Sequence, residues 1–297
     1  MKMNLSPSSV SIGSPEYPPR LRILPDAPEE LHYLGTLPED CPTVAIVGAR
    51  MCSSYGHSQA YAFGRELAAK GVQIVSGMAM GIDGYALEGA LDAGGRAFAV
   101  LGSGADVCYP RSNRSIYQRL REHGGILSEL PDGDGPLPWH FPMRNRIISA
   151  LADIVLVVEA KEKSGSLITV DFALEQGKTV FAVPGRIGDL LSDGCNRLIA
   201  QGAGIACSPE SLLAELPSFS AQKSPEEAEH SASPGISPEA SSVLSCFETE
   251  QQLGYDDLIS ASSLAPPQLS LALMELILGG RIRESSGGTY VRTDRRI

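Results

Sequence analysis

VAIVGAR, residues 44–50, is a run of apolar and mostly β-branched residues that ends in glycine and arginine. A helical pattern follows at Tyr55–Lys70, and a second apolar run lies at Val72–Val75. Short, continuous apolar runs of this kind are typical of strands that are buried on both faces. The stretch therefore predicts a strand–helix–strand unit of a parallel sheet.

The same alternation continues toward residue 183. Further apolar runs lie at Ala97–Leu101, Ile126–Leu127, Ile154–Val158 and Val180–Val183, with helical patterns at Gly84–Ala93, Ser112–His123, Arg146–Leu151 and Thr169–Gln176. Alternation at this spacing predicts an α/β fold with a doubly wound parallel sheet. Sheets of this kind bind ligands in the crevice beyond the carboxyl ends of their strands.

The composition of the chain predicts four parts. Residues 217–238 are rich in Pro, Ser, Ala and Glu, which is typical of a linker. They separate a body at residues 17–216, preceded by an N-terminal extension at 1–16, from a small domain at 239–297. That domain shows helical patterns at Glu239–Phe247, Tyr255–Ser262 and Pro267–Leu278, then a short hairpin at Arg281–Arg283 and Thr289–Arg292. Three helices followed by a hairpin predict a winged-helix-like domain.

Charge and cysteine content limit the function. The 297 residues include 24 Lys and Arg against 35 Asp and Glu, a net charge of −11, which argues against a protein that coats duplex DNA through bulk charge. The six cysteines form no C-x-x-C pair, so we expect neither a zinc site nor a disulfide framework. No apolar signal core or stretch of about 20 apolar residues is present. We expect a soluble cytoplasmic protein without a metal or other cofactor.

Small residues follow most of the predicted strands. These loops are Gly48–Arg50, Ser76–Gly81, Gly102–Gly104, Lys163–Ser166 and Pro184–Arg186. Small residues let backbone N–H groups approach an anion closely, so the loops are candidate phosphate sites, although each alone could be a tight turn. Neither a Walker motif nor a complete G-x-G-x-x-G is present, which makes ATP hydrolysis and hydride transfer poor candidates. The pattern indicates binding rather than catalysis.

Basic and aromatic residues are clustered despite the acidic total. Arg111, Arg114, Arg119 and Arg121 lie close together, and Arg144 and Arg146 bracket Asn145 after the aromatic stretch Trp139–Pro142. Guanidinium groups and rings beside backbone amides favour single-stranded nucleic acid, because phosphates pair with arginine while bases stack on rings. Arg119 and Arg121 could equally form a solvated helix face, and Trp139 a packing anchor. We favour binding roles for Arg50, Asn145 and Arg146.

Several motifs in one order carry a family resemblance. They are Tyr17-Pro18-Pro19, VAIVGAR at 44–50, Ser53/Ser54-Tyr55-Gly56, SGMAMGID at 76–83, AVLGSGADVCYP at 99–110, FPMRNRIIS at 141–149, VVEAKEKSGSLIT at 157–169 and VFAVPG at 180–185. In these motifs the chain resembles the DNA-processing protein family DprA, also called Smf. The resemblance implies an extended Rossmann-like fold that binds single-stranded DNA. It also implies a homodimer that loads the RecA recombinase during natural transformation and is not an enzyme.

The resemblance also implies a set of DNA-contacting residues. At the matching positions these are Gly48, Arg50, Ser53, Gly77, Gly81, Asp83, Gly102, Ser103, Phe141, Asn145 and Arg146. The chain departs from the family pattern at Met80, Leu87 and Met143, where the family usually has arginine, histidine and a basic residue. For about five phosphate contacts, log affinity should fall against log salt with a slope near −3.5, about −0.7 for each contact.

Two other readings remain open from the residues. The body is also similar to nucleoside-monophosphate phosphoribohydrolases, but their catalytic glutamate would fall at Phe172, which has no proton to exchange. A transcription regulator would use Pro267–Leu278 as its recognition helix, and that helix has no Lys or Arg with which to bind a DNA groove. We therefore expect the small domain to bind protein or to pack on the body.

Overall fold

A computed structural model of the chain describes residues 4–216, 237–247, 252–262, 264–278, 281–285 and 289–292. The chain divides into two compact units, Met1–Gln222 and Lys223–Ile297, and each is described by itself. Residues 217–236 of the predicted linker lie outside the described residues. The bounds of the four predicted parts stay predictions.

The first unit is built on one sheet, to which the described residues contribute nine strands. These are β1 Asn4–Ser11, β2 Glu30–Gly35, β3 Thr43–Val47, β4 Gln73–Ser76, β5 Ala97–Val100, β6 Gly125–Ser128, β7 Ile154–Val157, β8 Thr179–Ala182 and β9 Gly204–Ile205. Their order is β1-β2-β6-β5-β4-β3-β7-β8-β9. Strands β3 to β9 are parallel, whereas β2 pairs antiparallel with β6 and with β1. The chain moves outward from β3 to β6 and then returns to β7, so the switch point of the sheet lies between β3 and β7.

Helices cover both faces of this sheet. They are α1 Ser54–Ala69, α2 Ile82–Asp92, α3 Arg114–His123, α4 His140–Leu151, α5 Leu167–Glu175, α6 Asp193–Ala200 and α7 Pro209–Leu213. Strand β3 shows how the two cores arise, because Val44 and Ile46 pack with α1 and α2 while Ala45 and Val47 pack with α4. Every residue of β3 is buried. The predicted doubly wound α/β fold is confirmed.

The predicted elements of the body are present with small shifts, and two differences matter. Helix α4 begins at His140, six residues before the predicted start, with Pro142 in its first turn. Strand β1 lies inside the predicted N-terminal extension, and its Val10 is buried in the core. Asn4–Ser11, within the predicted N-terminal extension, thus form an edge strand of the sheet.

The second unit has its own core. Its elements are α8 Pro238–Ser245, β10 Gln252–Gly254, α9 Tyr255–Ser262, α10 Pro266–Leu278, β11 Ile282–Ser285 and β12 Thr289–Arg292. The strands form an antiparallel sheet in the order β10-β12-β11 over a core that includes Val243, Leu258 and Leu273. Residues 286–288, between the two strands of the predicted hairpin, lie outside the described residues. This element order is consistent with a winged helix, which stays a prediction. No helix in the described ranges is long and apolar enough to cross a membrane.

Candidate nucleic-acid interface

A cavity of about 680 Å³ opens at the switch point, where the loops after β3 and β7 diverge. Its lining side chains include Arg50, Met51, Asp83, Tyr109, Phe141, Arg144, Asn145, Lys161, Lys163, Ser164, Ser166 and Thr169. A small recess adjoins it, and its lining includes Gly77, Met80, Gly102 and Ser103 and five residues that the two spaces share: Arg50, Ala79, Tyr109, Phe141 and Arg144. Loops far apart in the sequence thus meet at one edge of the sheet, as the parallel topology requires.

Arg50 is the exposed cation at the centre of this site. Its guanidinium carbon lies 5.4 Å from the centroid of the Phe141 ring, within the range of a cation–π contact. Tyr109 adds a second ring, whose centroid is 5.6 Å from that of Phe141. In the part of the chain that the structure describes, no carboxylate forms an ion pair with Arg50. The guanidinium is therefore positioned by an aromatic ring and open to an anion.

The loop after β4 is held rigidly by side chains. The Gly77 N–H donates to Oδ2 of Asp83 over 3.0 Å, and Nδ2 of Asn113 donates to the carbonyl oxygens of Met78 and Ala79, each at 3.0 Å. Gly81 has a φ of 77°, and a Cβ there would lie 2.3 Å from the Ala49 carbonyl oxygen. Burial raises the pKa of the Asp83 carboxyl, an effect that the charge of Arg144 and the loop amides oppose. Asp83 therefore organises the loop.

Arg144 joins this loop to the end of β5. Its side chain is buried, and Nη1 donates to the carbonyl oxygens of Gly77, at 2.7 Å, and of Val100. A Cβ on residue 77 would lie 2.3 Å from Nη1, so a glycine is needed where the guanidinium crosses the chain. Burial lowers the pKa of Arg144 to about 10, and the group keeps its charge at neutral pH. Arg144 is thus a positioning residue that also borders the cavity.

Arg146, a predicted phosphate contact, does not line the cavity, and its guanidinium is paired with two carboxylates. Its Nε donates to Oδ2 of Asp26 and its Nη2 to Oε1 of Glu129, both over 2.6 Å. Nη2 also donates to the Asp26 carbonyl oxygen. Two residues along a helix turn the side chain by about 200°, so Arg144 and Arg146 point to opposite sides of α4. We assign Arg146 a structural role.

Ser53 is likewise placed in the framework and does not line the cavity. It caps α1 by accepting a hydrogen bond from the Gly56 N–H. Its own N–H and hydroxyl donate to the two carboxylate oxygens of Glu159, which is buried just beyond β7. The contact ties the start of α1 to the end of β7 across the switch point.

Of the other predicted residues, Gly48, Asp83, Phe141 and Asn145 line the cavity, and Gly77, Gly102 and Ser103 line the recess.

Sequence reasoning did not assign Lys161, Lys163 or Tyr109 to the site, although all three lie in motifs quoted above. Both lysines are exposed in the loop between β7 and α5 and line the cavity. Their position after the strand that returns to the centre of the sheet could have indicated them.

Phe172, where a phosphoribohydrolase would need its glutamate, does not line the cavity. Asp83 supplies the only carboxylate among the lining residues that the structure describes. In the described ranges no group of three or more His, Cys, Asp or Glu residues could hold a metal ion.

The fold and this cavity define a doubly wound α/β protein that presents arginine, lysine, aromatic and backbone amide groups at the switch point of its sheet. Residues 8–217 match the family model of DNA recombination-mediator protein A. The chain belongs to that family, and the resemblance in its sequence motifs is confirmed.

Relatives and solved structures agree with this assignment. The chain is 46% identical over 212 residues to DNA processing protein DprA of Streptococcus pneumoniae, covering 70% of this chain and 73% of that protein. It is 41% identical over 292 residues to protein Smf of Escherichia coli, covering 94% and 75%. The structure of DprA from Helicobacter pylori, described for its single-stranded DNA binding mode, superposes with a TM-score of 0.64 at 31% identity, covering 73% of this chain and all of that one. The structure of S. pneumoniae DprA gives a TM-score of 0.66 at 44% identity, covering 70% and 74%.

Proposed function

We propose that this protein binds single-stranded DNA in the cavity between β3 and β7 and acts as a recombination mediator. The observation that carries the proposal is the exposed Arg50 guanidinium, which lies over the Phe141 ring and has no carboxylate partner among the described residues. Such a pair offers one group to a phosphate and another to a base. Family membership and the single-stranded DNA studied with the H. pylori relative support the same ligand.

The number of cations available at the cavity predicts how steeply DNA affinity should fall with salt concentration. Arg50, Lys161 and Lys163 are exposed, whereas the charge of Arg144 is buried against two carbonyl oxygens. Arg146 is neutralised by two carboxylates. Three available cations predict a slope of log affinity against log salt of about −2, from about −0.7 for each contact. This slope is shallower than the value near −3.5 expected from the sequence.

The test is a salt titration of binding to a fluorescently labelled oligothymidine, read by anisotropy. Arg50→Ala should weaken binding and reduce the slope by about 0.7, because one phosphate contact is lost. Arg65→Ala is the matched control, since Arg65 is exposed on α1 and does not line the cavity. Duplex DNA of the same sequence should bind more weakly than the single strand. A flat salt response, or equal effects of the two variants, would contradict the proposal.

The proposal extends to the partner implied by the family. We infer that the protein, as a homodimer in the cytoplasm, protects incoming single strands and loads RecA on them during natural transformation. We also infer that it breaks no bond in the strand. RecA ATPase activity on strands coated with single-strand-binding protein should start sooner when this protein is added, and Arg50→Ala should abolish that effect. Release of free base from a nucleoside monophosphate would favour the phosphoribohydrolase reading instead.

A further inference from the structure

Large apolar side chains are exposed around the cavity mouth. Met51 is 79% exposed, Met80 47% and Tyr109 43%, and all three line the cavity or its recess. A single exposed apolar residue needs no explanation, but several beside one concave site mark a binding surface. We call Met51, Met80, Tyr109 and Phe141 the apolar collar.

The collar lies against the polar groups of the site. Met80, Tyr109 and Phe141 line the recess together with Arg50, and the Tyr109 and Phe141 rings are tilted by 38° to each other. Met51 follows Arg50 directly in the chain and lines the larger cavity. A ligand whose phosphate reaches the Arg50 guanidinium therefore has its neighbouring group against thioether and ring surfaces.

The chemistry of these surfaces selects the part of the strand that they can bind. A thioether offers no N–H or O–H to a phosphate, but it is polarisable and packs well against flat π systems. Unpaired bases have exposed π faces, whereas the bases of a duplex are stacked inside it. Resting on the proposed function, we propose that Met51 and Met80 bind unpaired bases. This protein then holds single-stranded DNA chiefly through its bases, with phosphate charge contributing less.

The first experiment removes the bases and keeps the backbone. Anisotropy titrations compare an oligothymidine with an abasic tetrahydrofuran oligomer of the same length, each at low and high salt. Stacking of one base on an aromatic ring changes affinity about fivefold or more, and each contact of a thioether with a base adds a smaller factor, so we expect the abasic oligomer to bind at least about tenfold more weakly. Equal affinity for the two oligomers would overturn the inference and leave the proposed function standing. Failure of both to bind would overturn both.

The second experiment changes the collar itself. Met80→Arg should narrow the gap between the two oligomers and steepen the salt slope by about 0.7, since one phosphate contact replaces a base contact. Met80→Leu should keep the preference for bases, because an apolar surface remains. Ile23→Arg, a substitution at a residue that is exposed but lies outside the cavity, is the control and should change neither quantity. If Met80→Arg leaves the gap unchanged and alters the oligomeric state instead, the collar is a protein contact and the inference fails.

Discussion

Replacement of Arg146 by alanine separates a structural arginine from a DNA contact. The side chain is 7% exposed and forms ion pairs with Asp26 and Glu129, which are 64% and 28% exposed. The variant removes both pairs and leaves Glu129 as a half-buried carboxylate without its cation. Asp26 loses less, because water can replace much of its partner.

The magnitude follows from this difference in exposure. Removal of one partner from a fully buried ion pair costs about 3–5 kcal/mol, and the hydration of Asp26 lowers that figure here. We expect a loss of about 2–3 kcal/mol in the free energy of unfolding. For a unit of this size each kcal/mol corresponds to about 2–4 °C, so the melting temperature should fall by about 4–12 °C.

Thermal unfolding followed by circular dichroism gives the melting temperature, and anisotropy with oligothymidine gives the affinity of the same sample below its transition. Arg146→Ala should lose stability and keep most of its DNA affinity per folded molecule. Arg50→Ala, at an exposed residue without an ion pair among those described, should do the reverse. If Arg146→Ala melts like the parent chain and binds DNA poorly, the assignment from the structure is refuted, and the role expected from the sequence is restored.

Two further outcomes are expected. Gly77→Ala should displace the Arg144 guanidinium, whose Nη1 would lie 2.3 Å from the new Cβ, and should lower both the melting temperature and the DNA affinity. Gly135→Ala is the control and should change neither, because the space around Gly135 is open. An unchanged melting temperature of Gly77→Ala would contradict the positioning role of Arg144. Burial raises the pKa of Tyr17 and Tyr117 to about 12, whereas tyrosine in an unfolded chain has a pKa near 10. Their contribution to the free energy of unfolding is therefore complete below about pH 10 and is lost as the pH rises to about 12. Absorbance titration of the phenols checks this, since Tyr117→Phe should remove one late-titrating group and leave the earlier ones unchanged.

The sheet could be predicted because its central strands are continuous apolar runs that can be recognised in the sequence. Val44–Val47 is apolar at every position, which is what burial on both faces requires. Strand β1 could not be found in this way, because NLSPSSVS is mostly polar and contains a proline. Such a sequence is tolerated at the edge of a sheet, where one side of the strand needs no partner.

The site was predictable in its backbone and less so in its side chains. Topology alone brings Gly48 and Gly102 to one edge, so the loops could be assigned from strand order. The choice between Arg144 and Arg146 depends on the rotation of α4 about its axis, and that rotation is set by packing of Ile147 and Leu151 on the sheet. The predicted start at Arg146 omitted the first six residues of α4, including Arg144. The carboxylate partner of Arg146 could not be predicted either, since Asp26 lies 120 residues away.

The hydrogen bond from Ser53 to Glu159 crosses the switch point, where the half of the sheet that ends at β3 adjoins the half that begins at β7. The cavity lies over the same junction. Its walls come from β3 and β4 on one side and from the segment after β7 on the other, so neither half alone could form a complete receptor. A single strand bound there, as proposed above, is expected to contact both halves. Its binding should then stabilise the folded sheet by mass action and raise the melting temperature.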